Sequence, residues 1–195
     1  MKSFVFPGII EQDILAIGAN QVPYMRTEAF SAIVKECEQL LLNAIGCPKG
    51  KVIFYTGSGT AAMDATVACH VSTKRKALAI TGGSFGKRWQ EICQYYAVAC
   101  KQFEVPFAKD IDYTRLEEVI SQEQPDVLLC QHHETSSGEL FDIRTIGEIC
   151  KRNQVILITD AISSFLADPY NMDEYNIKIS ITSSQKGLNI PPGLS

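Results

Sequence analysis

No CxxC pair occurs in this chain, although it carries seven cysteines: Cys37, Cys47, Cys69, Cys93, Cys100, Cys130 and Cys150. An odd number of thiols, scattered and mostly inside apolar runs, argues against a disulfide framework and against a zinc site. It fits a reducing, cytoplasmic setting. Long apolar runs are missing too, and the start lacks the basic-then-apolar pattern of a secretory leader, so no membrane is expected as a partner. Basic patches are equally scarce. The formal net charge is -4, and the densest cluster, Lys74-Arg75-Lys76, solvates the turn before an expected strand. Nothing marks nucleic acid as a partner. What is present is an ordinary globular composition, 46% hydrophobic and 21% charged over 195 residues, enough for one sizeable core.

Taken in order, Met1 to Tyr24 reads as irregular, punctuated by Pro7-Gly8 and Pro23. Apolar residues at Phe30, Ile33, Val34, Cys37, Leu40, Leu41 and Ala44 predict a helix from the cap Thr27 to Ile45, stopped by Gly46. Val52 to Thr56 predicts a strand, followed by a Gly57-Ser58-Gly59-Thr60 turn and a helix from Ala61 to Val71. Further strands are expected at 77–81, 101–105, 127–130, 155–159 and 177–181. Gly82 to Gly86 reads as a loop. Helices are expected at 87–97, at 113–121 after the cap Asp112, and at 142–152. Such alternation predicts an α/β fold, a mostly parallel sheet covered by helices. Ligands bind beyond the carboxyl ends of such strands. Five polar clusters gather there: Gly57–Thr60, Gly82–Gly86, His132–Gly138, Asp160–Ser164 and Ser183–Lys186.

Each cluster has a chemical and a plain reading. The glycine turn before Ala61 could seat an anion on free helix N–H groups, or simply turn the chain. It lacks the lysine of a P-loop, and the next strand lacks the acid of a dinucleotide fold. Lys186 is the only charged residue from Ile179 to the end of the chain. Among hydroxyls and an amide it suits an amine held at a site mouth, where partial burial frees its lone pair for Schiff-base chemistry. The other reading is a surface loop lysine. Asp160 ends an apolar strand and needs a partner, either a protonated ring nitrogen or a backbone N–H. Phe85, flanked by Ser84 and glycines, could lie on a ring or belong to the core. Adjacent His132 and His133 point to opposite faces of a strand, which disfavours a shared metal. Cys130 lies in an apolar run that raises its thiol pKa and makes it a poor nucleophile.

With these residues assembled, residues from about Gln21 to Ser195 resemble the class V, fold-type I pyridoxal phosphate aminotransferases. The branch is that of the 2-aminoethylphosphonate–pyruvate and alanine–glyoxylate enzymes. The motifs that carry it are Tyr24-Met25-Arg26-Thr27-Glu28-Ala29-Phe30, Thr56-Gly57-Ser58-Gly59-Thr60, Gly83-Ser84-Phe85-Gly86-Lys87-Arg88-Trp89, His133-Glu134-Thr135-Ser136-Ser137-Gly138, Asp160-Ala161-Ile162-Ser163-Ser164-Phe165 and Ser184-Gln185-Lys186 with Pro191-Pro192-Gly193. The resemblance implies pyridoxal 5'-phosphate as cofactor and Lys186 as the residue joined to it, which later shuttles a proton. It implies that Asp160 pairs with the pyridinium and Phe85 stacks on the ring. Ser58, Gly59, Thr60 and Gln185 would hold the phosphate, Thr135 or Ser136 would reach the ring hydroxyl, and Ser163 would lie near the substrate.

The substrates implied are a small amino donor, like 2-aminoethylphosphonate or alanine, and a 2-oxo acid such as pyruvate or glyoxylate, handled by a homodimer. Two departures stand out. Phe6-Pro7-Gly8-Ile9 reverses the Gly-Pro that the family carries near the substrate, and the chain stops nine residues after Lys186. Residues 1–25 are thus expected to be an N-terminal segment and 26–195 an incomplete cofactor-binding large domain, the small C-terminal domain being absent. The competing expectations are another class V enzyme, a lyase or a cysteine desulfurase, and a truncated, catalytically incompetent fragment. Desulfurases usually carry histidine before the lysine, where this chain has Gln185.

Overall fold

A computed structural model describes residues 9–71 and 76–195. The expectations for Lys74-Arg75 and for Phe6-Pro7-Gly8 lie outside the described residues. The elements are α1 (Gln12–Gly18), α2 (Glu28–Ala44), α3 (Gly59–His70), β1 (Lys76–Thr81), α4 (Ser84–Tyr95), β2 (Ala99–Glu104), α5 (Tyr113–Glu123), β3 (Val127–Gln131), a hairpin of β4 (His133–Glu134) and β5 (Glu139–Leu140), α6 (Ile143–Arg152), β6 (Ile156–Asp160) and β7 (Ile177–Ile181). Five strands form one sheet in the order β2-β1-β3-β6-β7. Every pairing within it is parallel.

The inner strands β1, β3 and β6 are almost free of charge because both their faces are covered, whereas the edge strand β2 carries Lys101 and Glu104 and is mostly exposed. Alternate residues supply two cores. Leu78, Ile80, Leu128, Cys130 and Leu157 face one side, where Leu116 and Ile120 of α5 and Ile143, Ile146 and Ile149 of α6 meet them. Ala77, Ala79, Val127, Leu129 and Ile158 face the other, against Met63 and Val67 of α3 and Trp89, Ile92 and Cys93 of α4. Truncating one of the fully buried leucines, such as Leu128, removes about 2–5 kcal/mol of stability by transfer and cavity costs.

Chain direction then positions the site. From β1 the chain goes outward through α4 to β2, then returns through α5 to β3 on the other side of β1. The strand order reverses between β1 and β3, which opens a crevice at their carboxyl ends. Asp112 and Asp142 cap α5 and α6 by accepting from the N–H groups of Arg115 (3.0 Å) and Thr145 (3.1 Å).

Three expectations need correction. Part of the stretch read as irregular is α1, a short helix that buries no residue. The strand expected over Val52–Thr56 does not form. Only Thr56 pairs, antiparallel to Leu194, and Ile53 stays 77% exposed. A β-rich run needs a partner along its length, and here the partner covers one end. Finally, α4 begins at Ser84, three residues before the expected Lys87, for a reason given below. The cap Thr27 and the span of α2 agree with the periodicity, yet only Leu42 of that helix is buried, and Ile33 and Leu40 face solvent. Among the described residues, no helix is long and apolar enough to cross a membrane.

Candidate active site

The crevice is built from four strand ends and one helix start. Asp160 is the last residue of β6 and is 6% exposed. Its Oδ1 accepts from the Ile162 N–H at 2.9 Å, so the plain backbone reading of this carboxylate is part of its geometry. Burial pushes its pKa up from 3.8 to about 6; the Ile162 N–H and the charge of Lys186 work the other way, and Glu134 adds to the rise. A carboxyl group held this way gains from a cationic partner.

Lys186 lies in the turn after β7, partly buried. Burial lowers its pKa, and the opposed charge of Asp160 resists that drop. The two groups therefore sense each other across the crevice. Gly187 is required behind the lysine for space, not for a left-handed turn. A Cβ there would stand 2.0 Å from the Phe165 carbonyl oxygen.

The start of α3 faces the same opening. Ser58 caps it, accepting from the Ala61 N–H at 3.4 Å. Gly59 is buried against Ile162 and Ser183, which brings the turn beside the ends of β6 and β7. Among the described residues, the N–H groups of Gly59 and Thr60 have no acceptor, as expected for the first turn of a helix. Ser183 donates to Gln185 Oε1 at 2.5 Å, which turns the amide so that its N–H₂ half is the end left for an anion.

In the loop between β4 and β5, Thr135 and Ser136 take different partners. Thr135 Oγ1 meets Ser163 Oγ at 2.6 Å, on the loop after β6. Ser136 Oγ is turned away, accepting from the Ser84 N–H at 2.9 Å and donating to Glu134 at 2.6 Å. Phe85, in the first turn of α4, is 41% exposed and does not belong to the core.

Glu134 is the residue that sequence reasoning passed over, quoting it only inside a motif. It is fully buried, and its carboxylate accepts from the N–H groups of Phe85 (3.4 Å), Gly86 (2.8 Å) and Ser136 (3.1 Å). Together with Ser136 it caps α4, which is why that helix starts early with no capping side chain of its own. The signal available was an acid among hydroxyls directly after an uncharged strand.

His132 and His133 do not join the opening as a metal pair. Burial lowers His132 to about 4, and its ring lies 5.3 Å from that of Tyr170. No cluster of three or more His, Cys, Asp or Glu that could hold a metal exists among the described residues. Burial raises the Cys130 thiol well above its usual value.

The aminotransferase class-V family matches residues 15–195. An uncharacterized aminotransferase of Methanocaldococcus jannaschii is 30% identical over 197 residues, covering 100% of this chain and 51% of the relative. A bifunctional phosphonoacetaldehyde hydrolase/aminoethylphosphonate transaminase of Clostridioides difficile is 32% identical over 145 residues, covering 72% of this chain and 22% of the relative. The crystal structure of an alanine–glyoxylate aminotransferase from Nostoc superposes with a TM-score of 0.92 at 26% identity, covering 96% of this chain and 50% of that one. The chain thus spans about half the length of relatives such as the archaeal one.

Proposed function

The chain belongs to the class-V aminotransferase family, and from that premise we propose that it carries the cofactor-binding half of a transaminase. Members of this family are pyridoxal 5'-phosphate enzymes. The residues fit that cofactor on three counts. An open helix start with small residues suits a phosphate, a buried carboxylate with a raised pKa suits a protonated ring nitrogen, and a lysine with a lowered pKa suits an aldehyde. The observation that carries the reading is the opposed pair Asp160 and Lys186 at the mouth of the crevice, beside the start of α3.

Bound there, the cofactor would supply an aldehyde for amine exchange and a protonated ring that withdraws electrons. The chain's own residues do the rest. Ser58, Gly59, Thr60 and Gln185 anchor the phosphate. Asp160 holds the proton on the ring nitrogen. Phe85 would cover the ring face, Thr135 or Ser136 would reach the ring hydroxyl, and Ser163, bonded to Thr135, would lie near the substrate. Lys186, its pKa lowered by burial, would shuttle a proton between the substrate Cα and the cofactor C4′.

The substrates are a small amino donor, 2-aminoethylphosphonate-like or alanine-like, and a 2-oxo acid such as pyruvate or glyoxylate. Relatives named for aminoethylphosphonate and for alanine with glyoxylate support that class. Residues 26–195 then form the cofactor-binding large domain, preceded by a lead-in segment. The apolar side chains that α2 leaves exposed suit a homodimer, in a cytoplasmic setting.

Reduction by borohydride of the chain mixed with pyridoxal 5'-phosphate, followed by peptide mapping, tests the core of this reading. The label is expected on Lys186. Label on another lysine, or colour that survives Lys186→Ala, would defeat it.

A further inference from the structure

We propose that Glu134 is the positioning residue for Phe85, setting the ring over the crevice by capping α4 from across the β1/β3 switch point. The inference rests on the reading of Phe85 as the cover of the cofactor ring.

The first turn of α4 cannot be capped locally. Gly83 precedes it, and a Cβ at that position would stand 2.3 Å from Ser136 Oγ and 2.6 Å from the Glu134 carboxyl carbon. The cap therefore comes from 48 to 52 residues away, through Gly86 to Glu134, Phe85 to Glu134 and Ser84 to Ser136. Three successive N–H groups that begin the helix are satisfied by two side chains of one loop. A carboxylate is well suited there, because the helix start carries partial positive charge.

Glu134 also has little capacity left for chemistry. Its two oxygens take three N–H groups and the Ser136 hydroxyl, about as many donors as a carboxylate accepts. A saturated, fully buried carboxylate holds geometry. Glu134 and Ser136 also flank Thr135 in sequence, so the same anchor fixes the hydroxyl that meets Ser163. One side chain thereby sets two walls of the opening relative to each other.

The experiment compares the unmodified chain with Glu134→Gln, Glu134→Asp, Phe85→Ala and the Glu134→Gln/Phe85→Ala double variant. Two quantities are read: amide hydrogen exchange at Phe85 and Gly86, and the release rate of pyridoxal 5'-phosphate together with its induced circular dichroism. Glu134→Gln is expected to speed exchange and release about tenfold each, the worth of one charged hydrogen bond. Its release should match that of Phe85→Ala, with no further gain in the double variant and partial recovery in Glu134→Asp. Faster exchange with unchanged release and dichroism in Glu134→Gln, while Phe85→Ala releases faster, overturns the positioning role and leaves the cover reading standing. Unchanged release in Phe85→Ala overturns both. If Glu134→Gln does not fold, Glu134→Asp carries the same readouts, and release equal to that of the unmodified chain overturns the proposal.

Discussion

Thr135 and Ser163, 28 residues apart in sequence, place their hydroxyl oxygens 2.6 Å from each other and so join the loops that follow β3 and β6. The contact is exposed, so it contributes little to folding. Thr135→Val and Ser163→Ala are each expected to change unfolding free energy by no more than about 0.5 kcal/mol. Affinity for pyridoxal 5'-phosphate or substrate should drop severalfold in both. Urea unfolding beside cofactor titration checks this; a stability loss with unchanged affinity would make the pair structural.

Asp160 gives the cofactor-free chain an unusual pH response. Its pKa is raised, so the folded state binds more protons than the unfolded state between 3.8 and about 6. Stability from this group is greatest at low pH and declines as pH rises through that window. Raising the pKa from 3.8 to about 6 corresponds to about 3 kcal/mol. Asp160→Asn should therefore stabilise the cofactor-free chain at pH 7 while abolishing tight cofactor binding. Denaturant melts at pH 4 and pH 7 decide it, and equal pH slopes in both proteins would rule it out.

His132 acts in the opposite direction. Its pKa is lowered from 6.5 to about 4 by burial, so its neutral form is favoured in the fold. Stability from His132 is complete above 6.5 and lost as pH falls toward 4. Between pH 4 and 6 the two residues therefore oppose each other, and the unmodified chain should show a shallow net slope. In Asp160→Asn the histidine slope should emerge, joined by that of Glu117, Glu123 and Asp142, whose pKa values their partners lower, as stability that rises with pH.

Gly187 and Gly18 form a contrast. A methyl group at Gly187 would meet the Phe165 carbonyl oxygen at 2.0 Å, whereas nothing lies within 4 Å of one at Gly18. Gly187→Ala should cost about 1–3 kcal/mol and weaken cofactor binding, because the backbone that carries Lys186 must move. Gly18→Ala, inside α1, should be neutral or gain up to about 1 kcal/mol. Thermal melts of the two variants, with cofactor titration, separate the effects.

The parallel sheet was legible because its inner strands are buried on both faces and the strands are separated by amphipathic helices. Uncharged runs such as Val127 to Cys130 have no other soluble reading next to helices capped by Asp112 and Asp142. What the sequence hid was long-range. Val52 to Thr56 looks like a strand by composition, yet strand formation depends on a partner, and only its end finds one. The start of α4 was hidden because its cap lies some fifty residues downstream. For the same reason the bond of the Ser136 hydroxyl to the start of α4 cannot be read from the sequence. Lys186 and Asp160 were legible as a lone charge and a strand-ending acid, which the family resemblance brings together; in the fold the charge of each bears on the other.

Tyr55 and Ser195 exchange both backbone hydrogen bonds, Tyr55 N–H to Ser195 at 2.7 Å and Ser195 N–H to Tyr55 at 2.9 Å, while the Ser195 hydroxyl reaches the Ser58 carbonyl, 137 residues away in sequence. Closing so large a loop is among the slower events available to a chain of this size. The helices and the inner strand pairs can form without this contact, but the start of α3 gains its brace only when residues 193–195 are in place. The opening turn of α3 is therefore among the later places to become ordered as the chain folds.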